Sequence, residues 1–168
     1  SISRRHVIEI TCDCVSDAMQ YSHKPEEDLQ LLEMAKAIIR GDTDSPAITR
    51  GDTNSSQFEI AAAKRKARYS TGIPEPNASY YANAAAYQTL IATDPTNSDW
   101  QFASCCHMAV SNAAWASLTA ADVFEEVDDI RYHVGGSWEK SEEARAASLR
   151  KSANIIRGMV RGFKTQGG

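Results

Sequence analysis

Apolar residues recur at helical spacing along almost the whole chain. Ile8, Cys12, Val15 and Met19 share one face, flanked by Val7, Cys14, Ala18 and Tyr21, and this broad stripe predicts a helix over about residues 4–22. Ser22-His23-Lys24-Pro25 breaks it. Pro25 followed by Glu26, Glu27 and Asp28 predicts a new start, because proline fits a first turn and acids favour the positive end of the helix dipole. Leu31, Ala35 and Ile38, with Leu32 and Ile39 beside them, carry the stripe on. Gly41 ends it, since glycine accepts the left-handed conformation of a C-terminal cap.

Residues 41–56 are rich in Gly, Asp, Thr, Asn, Ser and Pro, all turn formers. Within them Arg40-Gly41-Asp42-Thr43-Asp44-Ser45 returns ten residues later as Arg50-Gly51-Asp52-Thr53-Asn54-Ser55. The first Arg-Gly-Asp is read as a helix end and the second as a connector, rather than as two adhesive tripeptides. Ser56-Gln57-Phe58-Glu59 is a capping box that opens a helix over about 57–69, with Phe58, Ala61, Ala62 and Tyr69 on its apolar side. After the break at 71–76, a helix over about 77–92 carries Tyr80, Ala84, Tyr87 and Ile91.

Asp94-Pro95 restarts the chain into a helix from about 96 towards 118. Cys105, Met108, Asn112 and Trp115 line one side of it, and Phe102, Cys106, Ala109 and Ala113 the adjacent one. Residues 122–129 predict a short helix and Gly135-Gly136 a hinge. The last helix, over about 137–162, carries the cleanest stripe: Leu149, Ala153, Ile156, Val160 and Phe163. No segment alternates persistently with period two, so no strand is expected. The expectation is one all-α domain over residues 1–168, an irregular bundle of five to six helices with a frayed tail at 164–168.

Composition sharpens this picture. The 42% apolar fraction is dominated by alanine, and aromatics are 8%, so the core must be built from many small contacts between closely approaching helices. A net charge of −4 weighs against nucleic acid as the main partner. No apolar run reaches membrane-spanning length and no signal-type core follows the N-terminus, so a cytoplasmic protein is expected. Four cysteines are too few for a disulfide framework in 168 residues.

Cys12-Asp13-Cys14 and Cys105-Cys106-His107 have the residue types of a zinc site. On a helix, however, side chains one and two positions apart diverge by about 100° and 200°, which opposes joint chelation or a cysteine–histidine dyad. His6 with Glu9, and His133 with Asp129, have the spacing of ordinary solvated helix pairs. The charge pattern is more informative. Lys64-Arg65-Lys66-Ala67-Arg68 is basic, Arg145, Arg150, Lys151, Arg157, Arg161 and Lys164 follow in the last helix and tail, and Asp122, Glu125, Glu126, Asp128 and Asp129 are acidic. Separated faces of this kind steer association with a complementary partner. Trp100, Tyr69, Tyr132 and Trp138 lie near element ends, where such residues cover core edges or anchor interfaces.

Taken over about residues 7–115, the chain resembles small, alanine-rich, all-helical immunity proteins of bacteria and phages. The matching pieces are Cys12-Asp13-Cys14, Pro25-Glu26-Glu27-Asp28, the run from Ala35 to Asp42 and Tyr80-Tyr81-Ala82-Asn83-Ala84-Ala85-Ala86. The family's tryptophan near the end of the second helix is replaced here by Ile38-Ile39. The resemblance implies protein binding and neutralisation, with no catalytic residues or cofactor.

The sequence therefore points to a non-catalytic protein, immunity-like or a phage accessory, that occupies another protein's surface. The partner-facing candidates are Asp42, Asp44, Arg50, Asp52, Lys64, Arg65, Arg68, Asp122, Glu125, Glu126 and Asp129. Two alternatives stay open: a metal- or thiol-dependent helical enzyme using Cys105, Cys106 or His107, and a nucleic-acid accessory using residues 64–68 and the last helix. Self-association is also left open, and no metal, cofactor or membrane is expected.

Overall fold

The computed structural model describes residues 2–42, 78–121, 124–127, 130–133 and 137–166. They are mostly helical, as expected. The helix expected over 57–69, its capping box and the second Arg-Gly-Asp lie outside the described residues.

Helix α1 spans Arg4–Val15 and is capped by Ser3, whose Oγ accepts from the His6 amide at 3.4 Å. The chain then tightens into a 3₁₀ segment, Ser16–Tyr21, rather than continuing as the single helix expected. Local side chains accompany the change of pitch: Ser16 Oγ donates to the Asp13 carbonyl at 3.1 Å and Gln20 Nε2 to the Asp17 carbonyl at 2.8 Å. Such bonds three residues back compete with regular α-helix. The predicted stripe survives this, for Ile8, Cys12, Val15, Ala18 and Met19 are all buried.

Helix α2, Pro25–Arg40, has the predicted bounds. Gly41 adopts φ 74°, and the amides of Gly41 and Asp42 donate to the Ile38 and Ala37 carbonyls, both at 3.0 Å. That paired closure of orphan carbonyls is a Schellman cap, and it needs a residue tolerant of positive φ.

Helix α3, Ala78–Ala92, is buried without interruption from Ala82 to Leu90. The one-sided stripe expected here is corrected: Tyr80 and Ile91 are only half-buried, while Ala85, Ala86 and Leu90, off the stripe, are fully enclosed. A helix buried on every side lies at the centre, and α3 carries buried Asn83, Gln88 and Thr89 among its alanines. Its buried hydroxyls are satisfied along its own backbone, Thr89 Oγ1 on the Ala85 carbonyl at 2.9 Å and Thr93 Oγ1 on the Leu90 carbonyl at 2.7 Å.

Helix α4 spans Asp99–Ala121, starting slightly later than expected. Asp94 Oδ1 ties down the Thr96 amide and hydroxyl at 2.9 and 2.7 Å and holds that residue in a turn. Ser98 and Gln101 then form the capping box. The Ser98 amide donates to Gln101 Oε1 at 2.8 Å and the Gln101 amide to Ser98 Oγ at 3.2 Å.

Beyond α4, residues 124–127 and 130–133 overturn a prediction. Where a short helix was expected, β1 (Phe124–Val127) pairs antiparallel with β2 (Ile130–His133), Phe124 opposite His133 and Val127 opposite Ile130. Phe124, Val127, Ile130 and Tyr132 are β-branched or aromatic, types that favour strands. Helix α5 follows over Ser137–Gln166.

The most extensive helix contact joins α3 to α4, with α5 packed on α4 and α1 reaching α2, α3, α4 and α5. Ala82, Ala85 and Ala86 on α3 and Ala109, Ala113 and Ala116 on α4 belong to one core with Ile8, Val15, Met19, Leu32 and Leu90. Small side chains let backbones approach closely, and each fully buried large residue contributes about 1.5–3 kcal/mol. The sequence stripe on α5 is not absorbed: Leu149 and Ile156 remain exposed, and Ser152 is the buried residue of that helix among those described.

Candidate functional site

Most of the predicted partner-facing residues, namely Asp44, Arg50, Asp52, Lys64, Arg65, Arg68, Asp122 and Asp129, lie outside the described residues. Asp42 is exposed just after the α2 cap. Glu125 and Glu126 stand on strand β1, opposite Tyr132 and Arg131, instead of on an acidic helix. His133 is on β2, so its expected helical pairing with Asp129 does not apply.

The cysteines are present as thiols and serve the interior. Cys12 Sγ donates to the Leu32 carbonyl at 3.8 Å and Cys14 Sγ to the Ser152 carbonyl at 3.9 Å, so the sulfurs of α1 reach α2 and α5. Burial pushes the Cys12 thiol up to about 12 and also raises those of Cys14 and Cys106. A protonated thiol is neither nucleophile nor metal ligand. His107 is exposed while Cys106 is buried, as divergent neighbours on a helix must be. Among the described residues no three His, Cys, Asp or Glu side chains converge as a metal set.

A second polar feature was read differently from sequence. Asp28, assigned there to the α2 dipole, is fully buried. Its Oδ1 accepts from Asn83 Nδ2 on α3 at 2.6 Å and its Oδ2 from Ser22 Oγ at 2.5 Å. Ser22 Oγ in turn accepts from the Lys24 amide at 3.0 Å. The carboxyl therefore ties the α2 entry to the central helix. Asn83 on an alanine-rich helix was the available signal, since a buried amide requires a partner.

The most exposed large apolar side chain among the described residues is at the start of α4. Trp100 is 77% exposed, and Met108 two turns along is 43% exposed. Ser104, between them on the same strip, is half-buried, and His107 beside it is exposed. The backbone under Trp100 is held firmly. Besides the capping box, Arg4 donates to Asp99 Oδ1 at 2.6 Å and to the Asn97 carbonyl at 2.9 Å, and its guanidinium lies 5.0 Å from the Phe102 ring centre. Sequence reasoning named Trp100 only among aromatics at element ends, because no local pattern distinguishes a ring covering the core from one facing water.

No helix among the described residues is long and apolar enough to cross a membrane. Comparison of the chain with protein-family models, curated proteins and solved structures finds no match.

Proposed function

We propose that this is a non-catalytic protein-binding protein that acts by stoichiometric occupation of a partner protein's surface, in the manner of the immunity proteins it resembles. The observation that carries this is Trp100: a large aromatic side chain, 77% exposed, on a rigidly capped helix start. Tryptophan is the residue most enriched at binding hot spots, and a fixed backbone lowers the ordering cost of using it. Met108 extends the apolar contact, and Arg4 and Asp99 supply a polar rim. Burial keeps the Cys106 thiol protonated, which weighs against that residue as the nucleophile of the thiol-enzyme alternative. An irregular bundle of five to six helices would present such a strip as a preformed surface, and thiol cysteines suit a cytoplasmic setting.

The test is affinity capture from the native host with the wild-type chain and with Trp100→Ala. A partner recovered in stoichiometric amount by the wild type, and lost at least tenfold with the variant, is expected. Absence of any co-purifying protein, or equal capture by Trp100→Ala, would refute binding through this surface.

A further inference from the structure

The unabsorbed stripe on α5 differs from the Trp100 surface and carries its own consequence. Two contacts fix how α5 is rotated. The Arg145 guanidinium lies 5.1 Å from the ring centre of Trp115 on α4, and the Ser152 carbonyl receives Cys14 Sγ from α1. At about 100° per residue, Leu149 and Ile156 stand roughly 40° and 20° round from Arg145, on the side away from Ser152 and hence from α1. They are 38% and 41% exposed, with Ala146, Ala153 and Val160 half-buried beside them. Next on the same flank, roughly 60–160° round, come Glu139, Glu142 and Glu143 in the first half of the helix and Arg150, Arg157 and Arg161 in the second.

We propose that this face of α5 pairs antiparallel with the same face of a second copy of the chain. Two features of the face are complementary to itself under a two-fold axis near residue 151. Leu149 comes opposite Ala153 of the second copy, and Ile156 opposite its Ala146, so the two exposed side chains each meet a small one, with Val160 beside Glu142 of the second copy. Glu143 comes between Arg157 and Arg161 of the second copy, and Glu139 beside Arg161, while Arg150, next to the axis, lies near Arg150 of the second copy and opposes these pairs. A parallel pairing would instead set acid against acid and arginine against arginine. An isologous contact requires this self-complementarity, and charge segregation selects its direction. An anionic membrane or a nucleic acid would use the arginines but would be repelled by the glutamates on the same flank.

Sedimentation equilibrium of the full chain over a wide concentration range tests this. A monomer–dimer equilibrium between 18.4 kDa and twice that mass is expected, weakened by high salt. Leu149→Ser with Ile156→Ser, both at exposed positions, should leave the circular dichroism unchanged and abolish the dimer. Glu143→Arg and Arg157→Glu should each weaken it about tenfold, and the two together should restore it. Monomer at every concentration, or a dimer indifferent to these substitutions, overturns the proposal, as does wild-type chain that stays monomeric yet binds vesicles containing phosphatidylserine. Trp100→Ala should leave the dimer intact, which separates this contact from partner capture.

Discussion

Replacing Asp28 by alanine sets two physical accounts of one residue against each other. As a first-turn acid it would contribute about 0.3–1 kcal/mol through the helix dipole. As a buried tie it contributes more. Asp28→Ala removes the bonds of 2.6 Å to Asn83 and 2.5 Å to Ser22, and it leaves the buried Asn83 amide without that acceptor. An orphaned buried donor costs about 1–3 kcal/mol, and Ser22, half-exposed, loses about 0.5–1 kcal/mol because water can replace its partner. The sum is about 1.5–4 kcal/mol, or about 3–16 °C in Tm for a chain of this length. Urea unfolding followed by far-ultraviolet circular dichroism measures it, with Glu26→Ala, an exposed acid in the same turn, as the control. The double variant with Asn83→Ala should be less damaging than the sum of the singles by about 1 kcal/mol or more. A cost for Asp28→Ala no larger than for Glu26→Ala, or simple additivity with Asn83→Ala, would show that Asp28 is only a dipole residue.

The other expectations concern charge, thiols and packing. The hydrogen bond from Arg40, partly opposed by burial and helped by Arg5, holds the Glu9 carboxyl below its ordinary value. Because the folded value is the lower one, this contribution is present above about pH 4.3, the unfolded glutamate value, and is lost as pH falls through the folded one. Glu9→Gln should therefore cost up to about 1 kcal/mol at neutral pH and nothing in strong acid, by urea titrations at both; an equal cost at both would remove Arg40 as the cause. Ellman titration of the native chain should show at most one promptly reactive thiol, that of the half-buried Cys105, with Cys12, Cys14 and Cys106 reacting only on unfolding. Two or more prompt thiols would contradict their enclosure. Ala85→Leu, placed in the fully buried face between central helices, should destabilise by about 1–3 kcal/mol in a thermal melt, and a neutral result would mean that the helices are not closely packed there.

What the sequence determined by itself was whatever depends on near neighbours along the chain. Pro25, the acids after it and Gly41 set both ends of α2, since caps are local chemistry. The spacing of Ile8, Cys12, Val15 and Met19 identified the buried face of α1 and of the 3₁₀ segment after it for the same reason. Strands β1 and β2 were misread because runs of four residues are too few for either periodicity to win, and strand pairing supplies what propensity leaves undecided.

Tertiary structure alone decided which apolar stripes find a partner. Helix α3 shows weak amphipathicity and proved central, whereas α5 has the cleanest stripe and keeps part of it exposed. Asp28 became an interior tie, and Trp100 came to face solvent. Burial depends on which elements arrive from far along the chain. A stripe encodes that a face can be covered, while only the packed arrangement fixes whether this chain covers it or leaves it for another molecule.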